Sequence, residues 1–154
     1  MKTTLPDEKA TLDAAARVGR ALRPGDVVCL EGPLGAGKTT FVRGMLRGLR
    51  YRGEVTSPTF ALVNEYRMKA LRVCHVDLYR IEAGEVCGLG LEDYLADPRT
   101  ACVIEWPAAA EGVLPRDRLG VSLGYLGEGG SKGRRASLRA SGPASRALLR
   151  RSGL

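Results

Sequence analysis

The chain has 154 residues, of which 44% are hydrophobic and 27% are charged, a composition typical of a folded globular protein. This length predicts one domain over residues 1–154, and no apolar run approaches the ~20 residues that a membrane helix needs. The start of the chain lacks the apolar core of a signal peptide, so we expect a cytoplasmic protein with no membrane partner.

The net charge of +7 is concentrated at the C-terminal end of the chain. All 17 acidic residues and 17 of the 24 basic residues lie within 1–130, so the two signs balance there. The remaining residues carry no acid and seven basic side chains: Lys132, Arg134, Arg135, Arg139, Arg146, Arg150 and Arg151. This segment fits a surface for nucleic acid or another polyanion, and it equally fits a solvated strand and helix.

The first predicted elements are a helix, a buried strand and a second helix. Pro6, Asp7 and Glu8 open an amphipathic helix, because proline and acids are favoured in a first turn. Residues 27–30 form a short apolar run that predicts a strand, and residues 38–49 have apolar positions at helical spacing. A stripe of basic residues on this second helix is either its solvated side or a binding surface: Arg43, Arg47 and Arg50.

Between that strand and helix, residues 32–39 read GPLGAGKT, a complete phosphate-binding loop of the form G-x-x-x-x-G-K-[ST]. Its glycines permit a close backbone approach to phosphate, and its amides form an anion nest at a helix N-terminus. The lysine reaches the β- and γ-phosphates, and the threonine hydroxyl ligates Mg²⁺. The residues expected to bind a nucleotide here are Gly35, Ala36, Gly37, Lys38, Thr39 and Thr40. Pro33 lacks a backbone N–H, but the later amides remain.

The rest of the chain predicts further strands and short helices. Strands are predicted at 60–66, 71–77, 101–104, 119–125 and 134–140, short helices within 82–99, and a last helix at 143–151. The fold class is α/β: a P-loop NTPase-like, mostly parallel sheet flanked by helices, with a C-terminal antiparallel strand pair. The glycine, serine and arginine content of 127–154 also fits partial disorder.

Two acids, Asp77 and Glu105, directly follow apolar strands. In an α/β sheet, the carboxyl ends of strands beside the phosphate loop supply the carboxylate near Mg²⁺ and the group that orients water. Each acid alone is also an ordinary strand-end residue. Beside a complete phosphate loop, the pair predicts a hydrolytic site.

Four motifs occur in order along the chain: GPLGAGKTTF at 32–41, SPTF at 57–60, HVDLYR at 75–80 and EWP at 105–107. Together they resemble the TsaE (YjeE) family, bacterial ATPases required for making threonylcarbamoyladenosine in tRNA. The resemblance implies ATP and Mg²⁺ as cofactors, slow hydrolysis, and the TsaD and TsaB subunits of the threonylcarbamoyl transferase as partners. It leaves open whether tRNA is contacted directly or indirectly.

The resemblance also implies roles for individual residues. Thr39 and Glu105 are similar to the family's magnesium-site pair, and Asp77 resembles the catalytic acid that orients or activates water, with Lys38 on the phosphates. Thr59 lies in a segment similar to a switch that senses the γ-phosphate. Trp106 is either a ligand contact at the edge of the site or a core residue. The family usually has an acid where this chain has Pro33, so any role of that acid is in doubt.

Two residues of the third motif keep alternative interpretations. His75 is either a proton-transfer group or, as we favour, a hydrogen-bonded strand residue that supports Asp77. Arg80 is either a charge-stabilising group or an ion-pair partner.

Three other functions compete with the ATPase. A small-molecule kinase needs an acceptor pocket and usually an arginine-bearing lid, and the sequence shows no obvious lid segment. A GTPase needs an Asn-Lys-x-Asp motif, which is absent. A non-catalytic, nucleotide-dependent RNA-binding module finds its only support in the basic C-terminal end.

Overall fold

A computed structural model describes residues 1–127 and 133–154. The strands are β1 (Lys2–Leu5), β2 (Val27–Glu31), β3 (Val63–Arg67), β4 (Arg72–Asp77), β5 (Thr100–Glu105), β6 (Leu119–Tyr125) and β7 (Arg134–Ala140). The α-helices are α1 (Glu8–Ala21), α2 (Lys38–Gly48), α3 (Leu91–Ala96) and α4 (Pro143–Ser152). Two 3₁₀ segments, Ala83–Leu89 and Pro107–Ala110, complete the described elements.

The strands form one sheet in the order β1-β7-β6-β2-β5-β4-β3. The four central strands, β6, β2, β5 and β4, are parallel to one another, whereas β1, β7 and β3 are antiparallel to their neighbours. The α/β prediction and its antiparallel pair, β6 with β7, are therefore confirmed. The parallel arrangement places the ends of β2, β4 and β5 at one edge of the sheet, where the phosphate loop begins.

Apolar side chains alternate between the two faces of the sheet because β-strands have a two-residue period. Val28 and Leu30 pack with α1, α2 and α4 on one face, and Val27 and Cys29 pack with α3 and the 3₁₀ segments on the other. Helices α1 and α2 cross closely at Gly19, where an added Cβ would lie 2.0 Å from the carbonyl oxygen of Met45. This crossing fixes the position of α2, whose N-terminus carries the phosphate loop.

The second face is not covered along its whole width. On β6 and β7 it consists of small and polar residues, among them Ser122, Ser137 and Arg139, which line a groove together with residues 111–118. We call this groove the open-face groove. No helix in residues 1–127 or 133–154 has the length and apolar character needed to cross a bilayer.

Two differences from the sequence predictions have physical causes. Strand β1 was missed because its polar residues gain a partner only when β7 returns beside it, and Lys2 pairs with Ser137. Strand β3 begins at Val63 rather than at residue 60, because Leu62 has φ of 64° and Phe60 lies in a turn with 99% of its surface exposed. The alternating pattern of residues 60–66 extended into this turn.

The arginine stripe on α2 faces acids of α1. Arg43 pairs with Glu8 at 3.6 Å, and Arg47 pairs with Asp13 at 3.9 Å, both at the surface. These two arginines therefore belong to the solvated side of the helix. The predicted basic end forms β7 and α4 where it is described, and the glycine-rich stretch 128–132 lies outside the described residues.

Candidate nucleotide-binding site

The phosphate loop connects the end of β2 to the first residue of α2. Three of its glycines have φ in the left-handed region, at 139° for Gly32, 74° for Gly35 and 97° for Gly37. A Cβ on Gly32 would lie 2.1 Å from the carbonyl oxygen of Leu123, so a side chain there would push the loop off β6. Glycine is therefore required for both the turn and its close packing. The helix begins where the amide of Phe41 donates to the carbonyl of Gly37 at 2.8 Å.

The side chain of Lys38 is buried and turns back into the phosphate loop. Its Nζ donates to the carbonyl oxygens of Gly32 at 2.8 Å and Pro33 at 3.0 Å, and it lies 3.9 Å from the centre of the Trp106 ring. Burial lowers the pKa of Lys38 below the ordinary lysine value, and the carboxylates of Glu105 and Asp77 offset part of that shift. Pro33 takes part through its carbonyl, which needs no N–H, so the loop accommodates the proline.

Thr39 and Glu105 lie in direct contact. The hydroxyl of Thr39 donates to Oε1 of Glu105 at 3.0 Å, and both side chains line the same cleft. Glu105 is the last residue of β5, and the parallel register of β4 and β5 sets it beside Asp77. The predicted magnesium-site pair and the second acid are thus neighbours at one sheet edge.

His75 contacts Glu105, and the prediction that it supports Asp77 does not match this geometry. Its Nε2 lies 2.9 Å from Oε1 of Glu105, and its side chain is fully buried. Asp77 is bonded by other donors, which explains the difference. The hydroxyl of Thr59 donates to Asp77 at 2.8 Å, that of Ser57 at 3.3 Å, and the amide of Tyr79 at 3.0 Å.

The side chains after β4 and β5 form the rim of the cleft. Trp106 is half-buried, has φ of 58°, and its ring centre lies 5.0 Å from that of Tyr79. Its ring packs against the apolar residues that cover the second face of the sheet and also lines the cleft beside Lys38. Trp106 is therefore a rim residue and not a fully buried core residue, and its contact with a ligand stays a prediction. The guanidinium of Arg80 lies 5.7 Å from the Tyr79 ring and makes no ion pair with a described carboxylate.

These groups line one cleft of about 470 Å³. All of the sequence-predicted site residues line it except Ala36, whose side chain is buried beneath the loop. The predicted residues that it brings together are Gly35, Gly37, Lys38, Thr39, Thr40, Thr59, Asp77, Glu105 and Trp106. Leu34, Ser57, Tyr79 and Arg80 complete the lining.

The donor set fits a magnesium ion that arrives with a nucleotide. Among the described residues, no group of three or more His, Cys, Asp or Glu side chains forms a preassembled metal site. Mg²⁺ is usually held by one or two carboxylates together with phosphates and waters, so a protein cage is not needed. Thr39 and Glu105 supply the hydroxyl and carboxylate oxygens for such a site.

Two residues at the loop were missed by the sequence reasoning, which placed them only in the strand pair. The hydroxyl of Tyr125 donates to the carbonyl of Leu34 at 2.6 Å, and Nε of Arg134 donates to that of Ala36 at 3.1 Å. They are 91 and 98 residues away from their partners along the chain. No local pattern identifies such contacts.

Comparisons with known proteins show the family to which this sequence and fold are similar. Residues 5–135 match the family model described as Threonylcarbamoyl adenosine biosynthesis protein TsaE. The chain is 39% identical over 127 residues to the tRNA threonylcarbamoyladenosine biosynthesis protein TsaE of Bacillus subtilis, covering 82% of this chain and 78% of that protein. It is 46% identical over 93 residues to the protein of the same name from Nostoc, covering 60% of this chain and 57% of that protein. The crystal structure of YdiB from Bacillus subtilis superposes with a TM-score of 0.84 at 31% identity, covering 99% of this chain and 93% of that one.

Proposed function

This chain belongs to the TsaE family of threonylcarbamoyl adenosine biosynthesis proteins, and from that premise we propose that it is a magnesium-dependent ATPase. In this proposal it binds ATP in the cleft, hydrolyses it slowly, and drives or resets the enzyme complex that makes threonylcarbamoyladenosine in tRNA. The observation that carries the proposal is the contact of Thr39 with Glu105 at 3.0 Å, directly beside Lys38 and Asp77.

The loop residues would bind the phosphates. The amides that follow Gly35 would form the anion nest, that of Ala36 by exchanging the carbonyl of Pro33, to which it donates at 3.1 Å. The N-terminus of α2 would add a favourable dipole. The ammonium of Lys38 is bonded to two neutral carbonyls. We expect it to exchange them for phosphate oxygens, because a negatively charged partner offsets the cost of burying the ammonium. Trp106 covers the same ammonium from the rim of the cleft.

Thr39 and Glu105 would hold the magnesium ion, which neutralises the charge that develops on the phosphates and orients them. Asp77 would accept a hydrogen bond from the attacking water and orient it. The hydroxyls of Ser57 and Thr59 hold this carboxylate in the cleft, so a displacement of their segment changes its position. Through these hydrogen bonds, a change at Asp77 when nucleotide binds would shift the switch-like segment at the surface.

Hydrolysis by this chain alone is expected to be slow. An arginine that stabilises the transferring phosphoryl group accelerates such reactions by about 10³–10⁵. Arg134 donates to carbonyls of the loop, and Arg80 lies over Tyr79. Neither arrangement points to a preformed arginine finger, so we propose that a partner completes the site.

The partners we propose are the TsaD and TsaB subunits, docked over the mouth of the cleft. Large apolar side chains are exposed in the segments that flank it, with Leu34 at 66%, Phe60 at 99% and Tyr79 at 38% exposure. Exposed apolar groups of this kind mark interaction surfaces. Because Phe60 follows Thr59 directly, a partner that binds it also senses the switch-like segment.

We further propose that tRNA contacts this chain directly, at the open-face groove. Arg116 and Arg139 line the groove, are exposed and make no ion pair with a described carboxylate. The neighbouring Arg118 is bonded to Glu111 through both carboxylate oxygens. The strands that form the groove carry small side chains, and none of the described residues that line it is aromatic. This lining fits a phosphate backbone rather than unpaired bases.

The pathway is tested by depleting the protein and digesting the cellular tRNA. The proposal predicts loss of threonylcarbamoyladenosine, restored by the wild-type chain and not by Lys38→Ala. Normal levels of the modified nucleoside after depletion would overturn the functional assignment, even for a chain that hydrolyses ATP. A matched control is Lys69→Ala, which removes an exposed lysine from the turn before β4.

A further inference from the structure

The strand pair β6–β7 contacts the phosphate loop through side chains that lie outside the cleft. Three consecutive loop carbonyls accept hydrogen bonds from two side chains of this pair. Tyr125 donates to Leu34 at 2.6 Å, and Arg134 donates through Nη2 to Gly35 at 3.2 Å and through Nε to Ala36 at 3.1 Å. Neither Tyr125 nor Arg134 lines the cleft itself.

The orientation of these carbonyls determines the orientation of the amides that bind phosphate. A peptide unit is planar and trans, so its C=O and the N–H of the next residue point in opposite directions. Donors that fix the carbonyls of Leu34 and Ala36 therefore also direct the amides of Gly35 and Gly37 away from the strand pair. The amide that follows the Gly35 carbonyl, that of Ala36, donates within the loop to the carbonyl of Pro33 at 3.1 Å. Gly35 and Gly37 have φ in the left-handed region. Because glycine adopts many backbone conformations, contacts from outside the loop are needed to keep it in this one.

The two side chains also stabilise each other. Tyr125 and Arg134 are directly paired across β6 and β7, and the guanidinium carbon lies 4.9 Å from the centre of the tyrosine ring. Such cation–π contacts limit the positions that a long arginine side chain adopts. A Cβ on Gly35 would lie 3.1 Å from the tyrosine hydroxyl, so the fit between loop and strand pair is close.

We propose that Tyr125 and Arg134 are positioning residues that keep the phosphate loop in its anion-binding conformation. They act on the backbone of the loop and not on the γ-phosphate, so they support binding of ATP and ADP equally. The proposal rests on nucleotide binding at the cleft, as proposed above, and adds residues that the four sequence motifs do not contain.

The first test measures dissociation constants for Mg-ATP and Mg-ADP with the full chain. Arg134→Ala is expected to weaken both by about 10- to 100-fold, because it removes charge-assisted bonds to two carbonyls. Tyr125→Phe removes one neutral bond and is expected to weaken both by about 2- to 10-fold. The ratio of the two dissociation constants stays at its wild-type value in each variant.

Matched controls separate this effect from general damage. Arg135→Ala removes the next arginine of β7, whose side chain points to the other face of the sheet and has no bond to the loop. Tyr94→Phe removes a hydroxyl that donates to Glu65, away from the cleft. Both controls should retain wild-type affinity for the two nucleotides.

A second readout does not depend on nucleotide. Hydrogen–deuterium exchange at the amides of residues 34–38 in the free chain should be faster in Arg134→Ala and Tyr125→Phe than in either control, with unchanged exchange in β4 and β5. If the wild-type chain binds no nucleotide, the proposed function fails and this exchange experiment still decides the role of the two residues.

Two results would overturn the inference. Weaker ATP binding with normal ADP binding in Arg134→Ala would show that the arginine contacts the γ-phosphate instead. Wild-type exchange at residues 34–38 in both variants would show that the loop keeps its conformation without them.

Discussion

Nε2 of His75 lies 2.9 Å from Oε1 of Glu105, and the same oxygen accepts the hydroxyl of Thr39 at 3.0 Å. This Glu105 oxygen therefore links Thr39, in the first turn of α2, to the fully buried His75 on the neighbouring strand β4. Partners of this kind orient a carboxylate that is to bind a metal ion.

Replacing the histidine should change the magnesium requirement of the protein. His75→Phe keeps a buried ring of similar size and leaves Glu105 without its imidazole partner. We expect the magnesium concentration for half-maximal ATP hydrolysis to rise by about 10- to 100-fold, the usual effect of losing such a partner. Titrating magnesium at saturating ATP measures this shift.

The control for that experiment is Tyr66→Phe. Tyr66 lies on β3, the strand next to that of His75. The variant removes the Tyr66 hydroxyl, which donates to the carbonyl of Thr56. An unchanged magnesium requirement in His75→Phe, with normal folding, would show that Glu105 is held in place without the histidine.

The burial of Lys38 should appear in the pH dependence of stability. Because its pKa is lowered in the folded chain, the unfolded chain binds more protons between the folded and the ordinary lysine pKa. The charged lysine therefore costs stability at neutral pH, and this cost falls as pH rises through that window. Lys38→Met should melt at a higher temperature than the wild type at pH 7, by a margin that narrows toward pH 10.

In the presence of ATP, the wild type should melt at a higher temperature than Lys38→Met. ATP is expected to raise the melting temperature of the wild type and not that of Lys38→Met, because ligand binding stabilises only a chain that retains its site. A Lys38→Met chain that melts below the wild type at pH 7 without nucleotide would contradict the account of its burial.

The open-face groove gives a prediction about salt. Arg116→Gln combined with Arg139→Gln should weaken the binding of a tRNA transcript and reduce the slope of log affinity against log salt by about 2, because each arginine neutralises one phosphate. Filter binding at several salt concentrations measures the slope. Arg43→Gln with Arg47→Gln is the control, since it removes the same charge from α2.

An equal loss in the two double variants would mean that net charge alone governs RNA binding. Normal RNA binding with lost binding to TsaD and TsaB would identify the groove as a protein surface instead.

The exposed phenylalanine beside Thr59 should matter only in the complex. Phe60→Ser removes a side chain that is 99% exposed, so the stability and intrinsic hydrolysis of the isolated chain should be unchanged. The proposed stimulation of hydrolysis by TsaD and TsaB should fall by at least about tenfold, as expected for an apolar residue central to an interface. Phe60→Leu, which keeps an apolar group, should retain most of the stimulation; full stimulation of Phe60→Ser would place the interface elsewhere.

Much of the fold and of the site could be predicted because their signals are local. The phosphate loop is a contiguous motif, and Asp77 and Glu105 each end an apolar strand, so parallel strands had to bring them to one edge. The partner of His75 could not be predicted in this way. A strand period places it on the face of Asp77, but the competing donors Thr59 and Ser57 decide which carboxylate it meets.

The contacts that hold the phosphate loop could not be predicted from the sequence, for a different reason. Tyr125 and Arg134 looked like ordinary strand-end residues, because their bonds to the loop depend on β6 lying beside β2. The same holds for β1, whose residues pair with the far end of the chain. These features follow from the topology of the sheet, which local patterns do not specify.

The most direct test of the central claim is phosphate release from radiolabelled ATP by this chain mixed with its proposed partners, TsaD and TsaB. With magnesium, Asp77→Asn and Glu105→Gln should each lower the rate by at least about 100-fold, because each removes a charge that the reaction needs. Asp97→Asn and Glu65→Gln, which change acids away from the cleft, should retain the wild-type rate. Release at the wild-type rate from Asp77→Asn and Glu105→Gln would contradict the assignment of this cleft as the site of ATP hydrolysis.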